Sequence, residues 1–385
     1  MAESSAGPLQ GVRVVDFSRV LSGPFATLLL ADMGAEVIKV ERTGQGDETR
    51  WLPPAAGDLS HYFASVNRGK KSVQLDLADA GDRQLARQLM VTADVVVENF
   101  RPGVGERLGV DHASVAVDNP GVVYCSISSF GQDSDLSVRP AYDLVLQAAT
   151  GLLSITGAPD GPPVKVGVPI CDLAAGMFAA VAIVGALYRR RDTGEGCHLD
   201  TSMFDAGVSL LTYLGARHFL TGEVPGRMGN GHPSVVPYGE LAAADGALVV
   251  AVLGEQFWPP LCRAVGRPDL ETDPRFATNP DRIAHRAELE ALLGAIFATR
   301  TVAEWQSVLV DHDVPHAPIA DLGTVLSSDA FEHSGLRVPV TGPGGVTMDV
   351  IGTAARAART GRSAPDAVPG LGEHDDEVLG PLRGA

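Results

Sequence analysis

Basic residues are scarce in this chain: 30 Lys and Arg stand against 47 Asp and Glu, a formal net charge of −17 over 385 residues. Phosphate-backbone binding draws on clustered cations, so generic nucleic-acid binding and docking on anionic lipid are excluded. Cysteine is scarce too, with Cys125, Cys171, Cys197 and Cys262 widely spaced. There is no C-x-x-C pair and no His/Cys spacing suited to a metal, and a chain of this length needs no disulfide staples; a reducing compartment and no bound metal are expected. Residues 1–7 carry neither a basic segment nor an apolar one, so no signal peptide is expected. Long apolar runs are missing as well. The longest, from Leu173 to Tyr188, ends in Arg189-Arg190-Arg191 and falls short of the roughly 20 residues a bilayer requires. The expectation is a soluble, cytoplasmic protein with no membrane partner. Nor does G-x-G-x-x-G follow the first strand, and G-x-x-x-x-G-K-[ST] occurs nowhere, so neither dinucleotide nor P-loop chemistry is supported.

What is present is globular: 45% hydrophobic and 20% charged residues can build and solvate a core, and the length suggests two or three domains. The first hundred residues alternate. Residues 12–17 read as a buried strand, and Ser22-Gly23-Pro24 opens a helix with Ser22 as its cap and Gly34 as its stop. Residues 36–40 read as a strand, 80–90 as a helix, and 93–97 and 121–126 as further strands. This alternation predicts an α/β fold with a doubly wound parallel sheet. Past residue 220 the texture changes to a Gly/Pro-rich connection, a strand at 248–252 and helices over 282–309. The expected division is a large domain at 1–215, to which 335–385 returns, and a smaller α+β domain at 225–325.

Ligands of open α/β sheets sit at the carboxyl ends of the strands. The residues there are Ser18-Arg19-Val20, Glu41-Arg42, Asn99-Phe100-Arg101 and Ser128-Ser129-Phe130. Arg42 and Arg101, with Arg107 shortly after, would put positive charge on one rim of an acidic protein, which suits a phosphorylated ligand. Pairing with Glu41, Asp47 or Glu106 is the ordinary alternative. Asp172 precedes sixteen apolar residues that read as one helix, apolar all round and buried. At or near that helix's N-cap, the dipole and backbone N–H groups favour its carboxylate. A plain capping aspartate fits the same position. Cys171 is a rival nucleophile, since a thiol near a helix N-terminus can be acidified, but no histidine nearby in sequence offers itself as base.

Beyond these local readings, a series of segments resembles the class III coenzyme A transferases, a family that includes formyl-CoA transferase and, as relatives, the α-methylacyl-CoA racemases. The series begins with Val15-Asp16-Phe17, Ser22-Gly23-Pro24, the stretch from Ala31 to Arg42, and Gly46-Asp47. It continues through Asn67 to Ser72, Glu98 to Gly103, Ala141-Tyr142-Asp143, Thr156-Gly157 and Gly161-Pro162-Pro163. Asp172 to Gly176, Thr193 to Gly196, Gly229-Asn230, His232-Pro233, Val314-Pro315 and Ala317-Pro318 complete it. Each segment is weak alone; their order along most of the chain is specific.

The resemblance implies that Asp172 is the catalytic nucleophile of CoA transfer from an acyl-CoA to a free carboxylic acid, through aspartyl–acyl anhydride and aspartyl-CoA thioester intermediates. It implies that Val20, Arg42, Leu75, Asn99, Phe100, Arg107 and Tyr142 hold the CoA nucleotide. Coenzyme A is then substrate, with no permanently bound cofactor. It further implies a homodimer of interlocked, ring-shaped subunits. Two departures from the family pattern stand out. Asp133-Ser134-Asp135-Leu136 replaces a frequent Gly-Pro pair, and residues 226–231 lack the run of consecutive glycines found in formyl-CoA transferases. Two other classes remain as alternatives, an acyl-CoA racemase and a non-catalytic CoA-binding homologue. Tyr142 stands where the racemases carry a histidine base, and a phenol is a poor base at neutral pH.

Overall fold

Runs of Val and Ile buried on both sides are what an all-parallel sheet requires. In the computed structural model, which describes residues 7–354 and 367–383, they form one. Residues 1–6, searched above for a leader, lie outside the described residues, as do parts of the 335–385 tail. The strands are β1 (Arg13–Asp16), β2 (Glu36–Glu41), β3 (Lys71–Gln74), β4 (Val95–Glu98), β5 (Val123–Ser128) and β6 (Cys197–Ser202). Their order is β3-β2-β1-β4-β5-β6, and every neighbouring pair is parallel. Val15 lies opposite both Ile38 and Val96, and Ser126 opposite both Glu98 and Asp200. The order reverses between β1 and β4, which opens a crevice at the carboxyl ends of those strands.

The helices that accompany the sheet include α1 (Ser22–Asp32), α2 (Ala80–Val91), α3 (Asp143–Ala149) and α4 (Ile170–Thr193). On one face of the sheet, Ala86, Leu89 and Met90 of α2 pack on Val15, Ile38, Val96 and Tyr124. Elsewhere α1 lies against α4 at a close approach that only glycine permits. A Cβ on Gly176 would lie 2.7 Å from the Ser22 carbonyl oxygen and 3.0 Å from the Phe25 ring. The expected cap of α1 is displaced by one residue: Leu21 is the N-cap, without a side-chain hydrogen bond, and Ser22 is the first helical residue. At the far end of α4, Gly194 takes φ +71° and its N–H closes on the Arg190 carbonyl at 2.8 Å. A Cβ on Gly196 would sit 1.9 Å from the Val122 oxygen, so the Thr193-to-Gly196 segment is the turn that seats β6 against β5.

Helix α4 corrects two expectations. It runs 24 residues with a mean hydropathy of 2.2 in its most apolar window, so by length and composition it could cross a membrane, as the sixteen-residue run could not. It is also not buried all round. Ala174, Ala175, Ala179 and Ile183 are inside, whereas Met177, Phe178, Val181 and Tyr188 are 45–71% exposed.

The C-terminal segment returns to β3. Ser72 and His374 pair through backbone and ring, Gln74 donates its N–H to Asp375 at 2.7 Å, and Lys71 meets Glu377 at 2.7 Å. The outer edge of the sheet is thereby covered.

The chain falls into two units. The first takes Met1–Leu152, Val166–Thr221 and Phe331–Ala385; the second takes Leu153–Lys165 and Gly222–Ala330. Leu153–Lys165 therefore groups with the second unit, although its place within 1–215 put it in the first. The second unit holds an antiparallel sheet of β7 (Tyr238–Ala242), β8 (Ala247–Ala251) and β9 (His316–Pro318), ordered β9-β8-β7. Its core includes Trp258, Leu289, Phe297 and Trp305, the last two stacked with ring centroids 4.3 Å apart. The helical stretch expected at 282–309 resolves into Asn279–Ala284, Arg286–Phe297 and Val302–Asp311.

Candidate functional site

A cavity of about 430 Å³ opens at the carboxyl ends of β1, β4 and β5, where the strand order reverses. Five of the eight residues to which the resemblance gives a role line it together: Val20, Asn99, Phe100, Tyr142 and Asp172. The other three do not. Leu75 is buried in the core among Phe17, Val73 and Leu89, a cluster on which Phe100 packs. Arg42 and Arg107 are exposed outside the cavity, and neither guanidinium has a partner among the described residues. Arg19 and Arg101, which the sequence placed at strand ends, also line it, and the structure adds Arg139 and Ser22. Arg19 pairs with Glu48 at 2.7 Å, while the guanidinium groups of Arg101 and Arg139 are unpaired among the described residues. Arg139 had a sequence signal, a cation in the loop after β5, but that loop was read only for its departure from the family pattern.

Asp172 lies in the first turn of α4, three residues after the Pro169 N-cap rather than at the cap itself. Its carboxyl is pushed up to about 7, first by burial and second by the negative charge of Asp143; hydrogen bonding from the Ser22 side chain offsets part of this. Asp143 is fixed in place. One carboxylate oxygen accepts the Cys171 N–H at 2.8 Å, the other accepts from Gln147 Nε2 at 2.5 Å, and Gln147 in turn accepts the Val166 N–H. Cys171 is buried, and burial together with Asp143 pushes its thiol up to about 11. A thiol at that value is protonated at neutral pH, which weighs against the rival nucleophile.

The turn that carries Arg19 to Ser22 is held from below by charges the sequence pattern did not reveal. Asp16, Lys39, Asp47 and Lys70 are all buried, the first two on apolar strands and the others on polar loops. Asp16 accepts from Ser18, from Thr27 Oγ1 at 2.6 Å and from Lys70 Nζ at 3.1 Å. Lys39 Nζ donates to the Ser18 carbonyl at 2.7 Å and pairs with Asp47 at 2.9 Å. Burial alone would raise the Asp47 carboxyl, but Lys39 and the Thr49 N–H hold it down to about 2. Burial brings Lys70 down to about 8, with Asp16 opposing. These residues belong to the short segments whose order was specific in the sequence, so much of that pattern encodes this support. Asn99 completes it from β4: its Oδ1 accepts the Arg19 N–H at 2.9 Å and its Nδ2 donates to the Arg19 carbonyl at 2.7 Å. Glu98 shapes the next turn by accepting the Phe100 N–H at 2.6 Å.

Residues 226–231, which lack the run of consecutive glycines, lie in the second unit. There Gly229, Asn230 and Gly231 line a separate cavity of about 680 Å³. All four cysteines are free thiols, and no His/Cys/Asp/Glu cluster able to hold a metal is present among the described residues.

The pattern of CoA-transferase family III matches residues 9–375. Acetyl-CoA:oxalate CoA-transferase of Acetobacter aceti is 39% identical over 370 residues, covering 91% of this chain and 95% of that protein. Succinyl-CoA:glutarate CoA-transferase of Mus musculus is 38% identical over 376 residues, covering 97% and 86%. Among solved structures, a CAIB/BAIF family protein from Brucella suis superposes with a TM-score of 0.85 at 34% identity, covering 98% of this chain and 100% of that one. A protein from Mycobacterium tuberculosis gives 0.86 at 33% identity, covering 96% and 98%.

Proposed function

The chain belongs to CoA-transferase family III, and from that premise we propose that it moves CoA from an acyl-CoA to a small dicarboxylic acid with Asp172 as the nucleophile. The observation that carries this reading is a half-buried carboxyl opening on a cavity at the strand-order reversal, with a second carboxyl beside it. Burial makes Asp172 a stronger base than a solvated aspartate, and hence a better nucleophile once ionised.

The Asp172 carboxylate adds to the thioester carbonyl and expels CoA thiolate, leaving an aspartyl–acyl anhydride. The thiolate then attacks the aspartyl carbon, releasing the donor acid and forming an aspartyl-CoA thioester. An acceptor carboxylate attacks that thioester, giving a new anhydride and free thiolate again. Attack of the thiolate on the acceptor's acyl carbon yields the new acyl-CoA and restores Asp172. Each intermediate keeps the activation of the starting thioester, so no ATP is consumed. Water would hydrolyse the anhydride, which is why a screened site matters.

Val20, Asn99, Phe100 and Tyr142 hold the CoA from within the cavity, with Arg42 and Arg107 outside it, while Leu75 acts from the core cluster on which Phe100 packs. Arg42 and Arg107, unpaired among the described residues, supply charge for its phosphates. The dicarboxylate class draws support from the names of the relatives, which act on oxalate, glutarate and mesaconate. A homodimer accords with the apolar surface of the first unit, where Val181 and Tyr188 are joined by Phe219 and Leu220, each 87% exposed. The free thiols and the acidic charge suit a soluble protein of the cytoplasm.

The test is transfer of label from [14C]succinate into succinyl-CoA, or from [14C]glutarate into glutaryl-CoA with succinyl-CoA as donor, read by mass and radioactivity. Wild type should exchange, and Asp172→Ala should not, while still binding CoA. Borohydride or hydroxylamine added after succinyl-CoA should modify Asp172; modification at Cys171 instead would overturn the assignment. Deuterium uptake at the α-carbon of a 2-methylacyl-CoA, with no transfer to any acid, would favour the racemase alternative.

A further inference from the structure

Val20 is a β-branched residue at φ +68°, in the left-handed region that such side chains avoid. It lines the cavity, as do its neighbours Arg19, Leu21 and Ser22. Strain of this kind persists only where the surroundings over-determine it, and here they do. The Val20 N–H is received by both carboxylate oxygens of Asp47, at 3.2 and 3.3 Å. Asp47 is fixed by the Lys39 ion pair and by the N–H and hydroxyl of Thr49. The Asp47 side chain is fully inaccessible, so its role is not contact with a ligand.

We propose that Asp47, clamped by Lys39, is a positioning residue for the reaction: by taking the Val20 N–H it holds the turn at 19–22 in the geometry that forms the cavity wall and presents Ser22 to Asp172. The inference rests on Asp172 being the nucleophile. A loop residue with a free choice of φ would relax to negative values, swing the Leu21–Ser22 peptide and move the start of α1 relative to α4. Aligning the nucleophile with a bound thioester requires that this wall stay still. Of the residues assigned to the CoA nucleotide only Val20 belongs to this turn, so binding is expected to suffer less than the chemical step.

Three variants of the full-length protein test this by label exchange between succinyl-CoA and [14C]succinate. Asp47→Ala should lower kcat at least tenfold while KM for succinyl-CoA changes less than about threefold. Asp47→Asn, which keeps an acceptor for the Val20 N–H, should recover part of that loss. Val20→Pro leaves the Lys39–Asp47 pair intact but removes the N–H and forbids positive φ. It should reproduce the kcat defect of Asp47→Ala even if that variant folds poorly. Circular dichroism and thermal melting establish that each protein is folded. An Asp172→Ala protein that still exchanges label defeats the reading on which the proposal rests. An inert Asp172→Ala beside a Val20→Pro protein of normal kcat defeats the positioning role alone, as would a defect confined to KM.

Discussion

Replacing Asp172 by asparagine should make the protein more stable at pH 8 while abolishing exchange. In the unfolded chain this carboxyl ionises near 3.8, and in the folded protein near 7, because burial and Asp143 oppose its charge. Between those values the folded state binds the extra proton, so the stability contributed by Asp172 falls as pH rises from about 4 to about 7 and stays low above that. At about 1.36 kcal/mol per pH unit, the interval corresponds to about 4 kcal/mol at most. Because Asp172 opens on a cavity that water can enter, about 2–4 kcal/mol is the appropriate range. Asparagine is neutral throughout, nearly the same size, and can donate to Asp143. With an unfolding entropy of about 2 cal/mol/K per residue, the gain should raise Tm by about 3–5 °C at pH 8. At pH 5.5 much of the wild-type carboxyl's burden is already relieved by protonation, so the gain should shrink to about half. Calorimetry of both proteins at the two pH values, with label exchange measured alongside, checks this. A variant no more stable than wild type at pH 8, or equally stabilised at both pH values, would refute the claim that a strained carboxylate sits at this position.

The same ionisation sets the acid limb of the rate profile: kcat/KM for exchange should fall below about pH 7 with unit slope, as the carboxylate is protonated. A profile flat down to pH 5 would exclude Asp172 as the ionising nucleophile. Gly176→Ala should destabilise the first unit by about 1–3 kcal/mol in urea, because its methyl would meet the Ser22 carbonyl and force α1 from α4. Arg107→Ala should raise KM for acyl-CoA about tenfold without altering the folded state, since a charge-assisted bond to phosphate contributes about 1.5–3 kcal/mol. An unchanged KM would remove Arg107 from the nucleotide contacts.

The strands were legible because burial on both faces leaves little choice but Val and Ile: Val14-Val15 in β1 and Val95-Val96-Val97 in β4 announce themselves. The cavity's place followed from the alternation, since strand ends gather whatever the intervening loops hold. β3 and β6 were missed because they sit at the two edges of the sheet, where Lys71 and Gln74 in one and the exposed His198 and Asp200 in the other leave little apolar pattern to mark them. The buried ions were missed for a different reason. Lys39 amid Val37, Ile38 and Val40 reads as a solvated strand residue until Asp47 and Ser18 are known to lie within reach of it. Pairing across the fold is invisible to periodicity. The depth of Asp172 was likewise set by Gly176 and Ser22, a contact between segments far apart in the chain. The exposed side of α4 escaped notice because an apolar sequence does not say what will cover it.

The hold that the C-terminal segment has on β3 bears on the order in which the protein is made. Ser72 and Gln74 find their partners His374 and Asp375 about 300 residues later in the chain. Asp32, which grips the buried Arg68 through two bonds of 2.6 Å, waits still longer for Thr353, 321 positions on. On the ribosome, then, the parallel sheet stands with one flank unpaired while the whole of the second unit is synthesised. A bare strand edge of that kind recruits other edges. The nascent chain accordingly needs either a chaperone's shelter or rapid completion, and a stop codon or protease cut shortly before residue 370 would yield a nearly full-length polypeptide prone to aggregate. The segment His374–Glu377 works as a latch on synthesis already done.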